Sequence, residues 1–325
     1  FFFCGCLLTV LYMHADASGL LRAVCMYVWA ALSIVVLASP HVPVLVQLAA
    51  HGRLRKGSAA TERFKAMASL TVPKRLFLHF YVVGAALVAA AWWALEQQPR
   101  VVESMLHLVP ASLSPPLDPL CRVALALVAA HLTRRVAECA LVVEWGSARM
   151  HLAGYALGVG HYALLALSLL VDAAHFPRAG SRLNESTSVG QWCRVGIGVA
   201  AFAGASVLQH WSTRTIARLR RERSARTRPS AAAATARGGA AAPQVYVVPR
   251  GGAFELLVAP HLTAEVAIYA ALALVAGDRL PLLRWVAVWV ASNQAISARS
   301  ARQWYVATFG DAFPHERWTL VPYLW

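Results

Sequence analysis

The sequence predicts an all-α, polytopic membrane protein with about seven transmembrane helices. Hydrophobic residues make up 58% of the 325-residue chain and charged residues only 14%, whereas about a quarter of the residues in a soluble domain are charged. Apolar runs recur along the whole sequence, and several reach the roughly 18 residues that can cross a bilayer. A soluble protein and a protein with a single anchor are both excluded.

Seven apolar runs are long enough to be assigned as spans. They are predicted at residues 20–48, 76–95, 120–142, 149–171, 191–211, 262–277 and 281–298. Residues 1–19 are predicted to be an N-terminal extension of unclear role, because their apolar stretch is too short to span and has no basic segment before it. An odd number of spans puts the two termini on opposite sides.

The basic residues predict the orientation, because Lys and Arg accumulate in cytosolic loops. The loop after the first span and the loop after the fifth are strongly basic, whereas residues 96–119 contain only Arg100. The two basic sets are Arg53, Arg55, Lys56, Arg63, Lys65, Lys74 and Arg75, and Arg214, Arg218, Arg220, Arg221, Arg223, Arg226 and Arg228. The N-terminus is then lumenal and the C-terminus cytosolic, and the glycosylation sequon at Asn184 falls on the lumenal side.

Composition and motifs rule against several function classes. The net charge of +15 is explained by these loops, so no nucleic-acid partner is predicted. Neither a glycine-rich dinucleotide motif after a strand nor a phosphate-binding loop occurs, so any nucleotide must be held by helices and loops. The six cysteines include no CxxC pair, and no metal is predicted.

Charged residues inside the third span form the first candidate site, because a charge at membrane depth is costly and is a functional hypothesis by default. His131, Arg135 and Glu138 share one helical face, and Arg134 can pair with Glu138 at a spacing of four. One interpretation is a structural ion pair between helices. The other is an anion site, because one glutamate does not neutralise two arginines and a histidine, and a cofactor phosphate would.

The sixth and seventh spans supply a second group of polar residues. His261, Glu265 and Tyr269 are spaced by four and share a face. Gly251 and Gly252 precede them and allow a tight turn. Asn293 and Gln294 follow in the seventh span, and Trp304 and Tyr305 follow in the tail, where Trp304 is interpreted as an interfacial anchor.

Four motifs in order resemble the steroid 5α-reductase family. They are VPKRLFLHFY at 72–81, HLTRRVAE at 131–138, VVPRGGAFELLVAPHLTAEVAIYA at 247–270, and SNQAISARSARQWYVATFGDAFPHERWTLVPYL at 292–324. The first two, with Arg149-Met-His151, resemble the branch of the family that reduces polyprenoids and forms dolichol. The resemblance runs from about residue 20 to the end.

The resemblance implies a seven-helix enzyme of the endoplasmic reticulum that uses NADPH and a polyprenoid lipid substrate. It divides the chain into substrate-side helices at 20–211, a basic cytosolic loop at 212–250 with a low-complexity insertion at 229–243, and a C-terminal cofactor-binding region at 251–325. The resemblance also implies a set of cofactor-binding residues, two of which, Arg220 and Arg250, would bind phosphate. The full set is Arg135, Gln209, Arg220, Tyr246, Arg250, His261, Glu265, Tyr269, Asn293 and Tyr305.

Two departures bear on the substrate. Steroid-reducing relatives carry a tyrosine after the histidine of the third span, where this chain has Leu132, and a Gln-Glu pair in the second span, where it has His79 and Phe80. Both weaken a steroid assignment. Ser147 and His261 also replace asparagines that are usual in the family.

Hydride adds only to an electron-poor alkene, which favours polyprenal over polyprenol as the direct substrate. The site must then polarise the aldehyde oxygen and supply a proton to the α-carbon. We expect His79 and Tyr81 to serve as catalytic residues; helix-packing hydrogen bonds are the alternative role for each.

Three other functions stay open. One is a 3-oxo-Δ4-steroid 5α-reductase, and the second is an isoprenylcysteine-type membrane methyltransferase, which the single Glu316 and the Ala259-Pro260-His261 segment fit poorly. The third is a transporter or receptor, for which the spans show neither paired helix-breaking residues nor a polar pore.

Overall fold

The computed structural model of the chain describes residues 17–42, 70–105, 117–175, 188–226 and 246–321. Within these ranges lie seven long helices: α1 (Ala17–Ala38), α2 (Phe77–Gln97), α3 (Pro119–Leu141), α4 (Leu152–His175), α5 (Val189–Arg226), α6 (Pro260–Ala276) and α7 (Leu282–Phe309). The all-α prediction is confirmed, and each helix overlaps one predicted span. The sequon loop, the low-complexity stretch and residues 50–69 of the basic loop lie outside the described residues.

Four of these helical segments are long and apolar enough to cross a membrane, which makes this a multi-pass membrane protein. They are Gly19–His41, Lys74–Gln97, Leu152–His175 and Val189–Ala225, and α6 is a shorter apolar helix. Helix α3 instead carries Arg122, Arg134, Arg135 and Glu138, so its place in the membrane depends on partners that neutralise these charges.

Several predicted boundaries differ from the structure. The seventh span is predicted to end at 298, but α7 continues to Phe309, and the fourth is predicted to start at 149, where residues 149–151 form a strand instead. The first span is predicted to extend to residue 48, whereas α1 ends at Ala38 and a 3₁₀ turn follows at Ser39–His41; residues 43–48 lie outside the described residues. Pro40 lies in that turn and removes a helix donor. The fifth span was predicted to end at 211, but α5 continues to Arg226, because arginine and alanine are good helix formers beyond the membrane as well.

The helices pack so that α6 contacts α3, α5 and α7, α2 contacts α3 and α4, and α7 contacts α1. Glycines allow the close approach of α2 and α4. A Cβ atom at Gly84 would lie 2.8 Å from the Tyr162 ring, and one at Gly158 would lie 2.5 Å from the Phe80 ring. Each aromatic side chain therefore packs directly on the backbone of the facing helix, which fixes Tyr81 and Tyr162 beside each other, with ring centroids 5.4 Å apart.

Two of the branch motifs meet in a small antiparallel sheet at one end of the bundle. Strand β1 (Thr71–Pro73) pairs with β2 (Arg149–His151), with Val72 opposite Met150. Arg149 Nε also donates to Thr71 Oγ1 at 2.8 Å, and His151 Nδ1 accepts from the Ala153 amide at 3.0 Å at the start of α4. These contacts set the starts of α2 and α4 side by side.

The opposite end of the bundle is tied by Asp172, near the end of α4. Its carboxylate accepts from Arg22 Nε of α1 at 3.0 Å and from the Leu282 amide of α7 at 2.7 Å. Three helices are thus connected at one buried carboxylate, and its charge is balanced by the arginine.

Candidate active site

Glu138 of α3 is the centre of a buried network of charged residues. Arg134 and Arg135 both form salt bridges with it, and His210 Nδ1 of α5 lies 2.9 Å from Glu138 Oε1. The side chain of Glu138 is 2% exposed. The predicted pairing of Arg134 with Glu138 is confirmed, and Arg135 shares the same carboxylate.

Glu265 of α6 supplies a second carboxylate, which Gln209 connects to the first group. Gln209 accepts a hydrogen bond from Arg134 and donates one to Glu265. His131 Nε2 lies 3.5 Å from Glu265 Oε1, and His131 Nδ1 lies 3.2 Å from Arg134 Nη2. Two arginines are therefore matched by two glutamates, so the excess positive charge inferred from the third span alone is offset within the protein. The phosphate role of Arg135 stays a prediction.

The structure separates the two predicted catalytic residues of α2. The hydroxyl of Tyr81 accepts from Arg135 Nη2 at 3.1 Å, and the Arg135 guanidinium lies 4.9 Å from the centre of the Tyr81 ring. His79 is exposed, and its Nδ1 lies 3.1 Å from the Tyr155 hydroxyl. Residues two apart on a helix point to nearly opposite sides, so Tyr81 joins the network and His79 lies outside it.

Several buried donors of this region make no hydrogen bond of normal geometry within the described residues. They are the Nε atoms of Arg134 and Arg135, His261 Nδ1 and the Tyr269 hydroxyl, and His131 Nε2 has only its long contact with Glu265. An unpaired buried donor costs roughly 1–3 kcal/mol, so such a concentration is typical of a site that a polar ligand completes. Carbonyl and phosphate oxygens are the acceptors that these groups would take, and a nicotinamide nucleotide carries both.

A second group of aromatic and basic residues lies where α5 and α7 emerge towards the loop at 246–259. The Arg223 guanidinium lies 4.9 Å from the centre of the Tyr246 ring, and Tyr246 packs edge-on to Trp304 at 5.2 Å. Tyr305 stacks on Phe313 at 5.3 Å. Arg220 is half-buried close by and donates to the Glu144 carbonyl oxygen at 2.7 Å. Aromatic faces and arginines can hold the flat ring and phosphates of a nucleotide.

The glycine turn before α6 has the geometry that the sequence predicts. Gly251 and Gly252 have φ values of 87° and 51°, in the left-handed region that favours glycine. A Cβ at Gly252 would also lie 2.8 Å from the Trp211 ring of α5. The turn therefore packs directly against α5, two residues beyond Gln209.

A carboxylate clasp, formed by Glu255 and Arg317, holds this turn. Glu255 accepts from the Gly251 amide at 2.6 Å, and Arg317 donates to Glu255 at 3.3 Å and to the Pro249 carbonyl oxygen at 2.9 Å. The Gly251 amide, followed by the nearby arginines, holds the pKa of Glu255 below its usual range. Arg250 is more exposed, 3.6 Å from the same carboxylate.

The predicted cofactor-binding residues therefore fall into three groups. Arg135, Gln209, Glu265 and Tyr269 lie in the buried network, with His261 one turn before Glu265 on the same helix. Tyr246, Tyr305 and Arg220 lie in the aromatic and basic group. Arg250 borders the clasp, and Asn293 is half-buried and makes no hydrogen bond within the ranges described.

An aromatic cluster beside the network was not identified from the sequence. Trp29 of α1, Tyr162 of α4, Tyr269 of α6 and Trp289 of α7 pack around His161 of α4, with the His161 and Tyr269 ring centroids 6.3 Å apart. The sequence feature that indicates this cluster is His161, an ionisable residue in the middle of an apolar span.

Comparison with known proteins confirms the predicted resemblance. Residues 239–325 match the family model described as 3-oxo-5-alpha-steroid 4-dehydrogenase. The chain is 27% identical to a polyprenal reductase of Caenorhabditis elegans over 97% of this chain and 96% of the relative. It is 29% identical to a polyprenal reductase of Xenopus tropicalis over 78% of this chain and 80% of the relative. It is 30% identical to a polyprenal reductase of Danio rerio over 60% of this chain and 57% of the relative. These names denote oxidoreductases that act on carbon–carbon bonds.

Proposed function

We propose that this chain, whose C-terminal region matches the 3-oxo-5-alpha-steroid 4-dehydrogenase family and whose relatives are polyprenal reductases, reduces the α-isoprene double bond of polyprenal with NADPH. The reaction would serve dolichol biosynthesis and protein N-glycosylation at the endoplasmic reticulum membrane. The observation that supports a reductase site in this fold is the buried network of Arg135, Glu138 and Glu265, which retains unpaired donors.

The electronic demand of the reaction favours the aldehyde as substrate. Hydride addition to the β-carbon requires that negative charge be delocalised onto an oxygen, and an α,β-unsaturated aldehyde allows this whereas an allylic alcohol does not. The protein must therefore stabilise charge at the aldehyde oxygen and allow protonation of the α-carbon.

The cofactor would be held at two places that differ in chemistry. NADPH supplies the hydride when it is bound. Gln209, Glu265 and the unpaired arginine nitrogens near them would bind its carboxamide, with the Tyr269 ring beside it. The aromatic and basic residues around Tyr246 and Tyr305 would bind the adenine and phosphate end. Tyr81 would act through Arg135, by fixing the orientation of that guanidinium.

The orientation follows from the basic loops. With the N-terminus lumenal and the C-terminus cytosolic, the sheet end of the bundle and the loop at 246–259 would face the cytosol, where NADPH is available. Asp172 and its partners would then lie at the lumenal end.

The test is NADPH consumption by the purified protein in lipid nanodiscs. We expect turnover with polyprenal and none with polyprenol of the same chain length. Absence of turnover with polyprenal would refute the proposal. Turnover with polyprenol alone would show that the alcohol, not the aldehyde, is the direct substrate. Binding of S-adenosylmethionine in place of NADPH would indicate a methyltransferase.

A 3-oxo-Δ4-steroid is the second candidate substrate, because the matching family model is described by a steroid reaction. Against it, Leu132 is fully buried among apolar side chains and occupies the position of the tyrosine that steroid-reducing relatives carry. A steroid arm in the same assay separates the two substrates.

A further inference from the structure

His161 has a defined neutral tautomer. The indole N–H of Trp289 donates to His161 Nδ1 at 2.9 Å, and an indole nitrogen can only donate. Nδ1 must therefore accept, so the ring is neutral and its single proton is on Nε2. Trp289 is 4% exposed, which protects this hydrogen bond from competing water.

The Nε2–H group of His161 has no acceptor within the described residues. The ring is enclosed by Trp29, whose centroid is 5.4 Å away, and by Tyr162 at 4.6 Å. The Trp29 indole donates instead to Ser168 Oγ at 3.0 Å. The other indoles of the cluster are thus committed to protein acceptors, and His161 Nε2–H stays available.

Tyr269 provides a second donor next to it. Its ring centroid lies 6.3 Å from that of His161 and 5.7 Å from that of His131. The residue is 1% exposed, and its hydroxyl, although close to Tyr162, makes no hydrogen bond of normal geometry in the part of the chain described. Tyr269 therefore connects the aromatic cluster to the network that includes His131 and Glu265.

A pair of neutral donors among apolar rings fits one kind of ligand group, a neutral carbonyl that becomes negative during reaction. A carboxylate or phosphate would find no cation among these rings, and an apolar tail would leave both donors unpaired. Of the three positions at which steroid-reducing relatives carry polar residues, two hold buried apolar side chains here, Leu132 and Phe80. The third holds His79, which is exposed.

We propose that His161 Nε2–H, together with the Tyr269 hydroxyl, binds the aldehyde oxygen of the substrate and stabilises the negative charge that develops on it. The inference rests on the proposed function. Bound NADPH would supply the hydride that C3 gains. The C2–C3 π electrons would then form C1=C2, and the carbonyl π pair would move onto the oxygen, where His161 Nε2–H and the Tyr269 hydroxyl would donate to it. A proton from water then adds to C2, and the C1=O bond is restored.

The test compares variants of His161 in the purified protein with polyprenal and NADPH. His161→Phe keeps a ring but removes the donor, and loss of one such donor lowers kcat by about 10²-fold or more. His161→Gln returns an amide N–H near the Nε2 position and is expected to recover part of that loss. The KM for NADPH should not change. Trp29→Phe is the matched control, because it breaks the indole hydrogen bond to Ser168 and leaves His161 intact.

A spectroscopic readout distinguishes charge stabilisation from packing. With oxidised cofactor and polyprenal that is isotopically labelled at the carbonyl carbon, the infrared C=O band should shift to lower wavenumber in the wild type and much less in His161→Phe. A wild type that does not reduce polyprenal would refute the proposed function. An active wild type with unchanged kcat and C=O band in His161→Phe would refute only this inference, as would equal losses in His161→Phe, His161→Gln and Trp29→Phe.

Discussion

At the scale of single residues, the site depends on compensation of charge inside an apolar bundle. Glu138 binds two arginines, and Glu265 balances the surplus through Gln209 and His131. Removal of one partner of a buried pair typically costs about 3–5 kcal/mol, because the other charge is left uncompensated. The network therefore has the structural role that one interpretation of the third span predicts, and the binding role of the other interpretation stays a proposal.

The substitution Tyr81→Phe tests whether the network contributes to catalysis, because it removes a single oxygen atom. The substitution removes the hydroxyl that accepts from Arg135 and leaves the ring in place. A hydrogen bond to a charged group contributes about 1.5–3 kcal/mol, so we expect kcat/KM for polyprenal to fall by roughly 10-fold to 100-fold. Steady-state kinetics measure the change.

His79→Phe is the control on the same helix. His79 contacts Tyr155 on the outer side of the bundle, so we expect its kcat/KM to stay near that of the wild type. A His79→Phe loss as large as that of Tyr81→Phe would restore His79 as a catalytic residue.

At the scale of elements, the contact of α2 with α4 controls the position of Tyr81. Gly84 and Gly158 each receive an aromatic ring of the facing helix, so neither position has room for a side chain. Small residues that let helices approach closely are a common device in membrane bundles.

Gly84→Ala tests this contact. The added methyl group would lie 2.8 Å from the Tyr162 ring, whereas an equivalent group at Gly160 meets nothing within 4 Å among the described residues. Overpacking costs about 1–3 kcal/mol, so we expect a lower thermal midpoint in detergent for Gly84→Ala and no loss for Gly160→Ala. Equal midpoints for the two variants would show that the helices can separate at no cost.

The Glu255 clasp predicts a pH dependence of the C-terminal region. Because the folded pKa of Glu255 is lowered, the clasp contributes stability that is complete above the unfolded pKa of about 4.3 and is lost as the pH falls through the lower folded value. Arg317 stays charged throughout this range.

Limited proteolysis of the loop at 246–259 between neutral and acidic pH measures this loss. We expect cleavage to increase as the pH falls below about 4. Glu255→Gln should be cleaved readily at every pH, with a weaker pH dependence. If Glu255→Gln and the wild type showed the same pH dependence of cleavage, the clasp would not stabilise this loop.

At the scale of the whole molecule, the bundle has two chemically different ends. One carries the β1–β2 sheet and the arginines at the end of α5, and the other carries Asp172 with Arg22. Antiparallel connections place the starts of α2, α4 and α6 at the same end, which agrees with the alternation of basic loops.

Glycosylation at Asn184 tests the orientation. If the loop after α4 is lumenal, expression in cells that glycosylate should give a band that moves faster on a gel after glycosidase treatment. Asn184→Gln should remove this shift, and a sequon moved into residues 229–243 should not be modified. Modification at the latter position would reverse the proposed topology.

The sequence alone determined the seven helices, because apolar runs of membrane length leave the backbone little choice but to form helices. It also paired Arg134 with Glu138, because a spacing of four is a local property of a helix. The motifs at 72–81 and 149–151 each resembled a family segment. Nothing in either motif predicted that their first residues pair with each other as antiparallel strands.

Only the tertiary structure decided which polar residues act together. Glu265 neutralises charges on α3 although more than a hundred residues separate them, His79 and Tyr81 diverge because of helical rotation, and His161 acquires its tautomer from Trp289 on another helix. Such relations depend on how helices are placed against each other, and periodicity within one helix carries no information about the facing side chain.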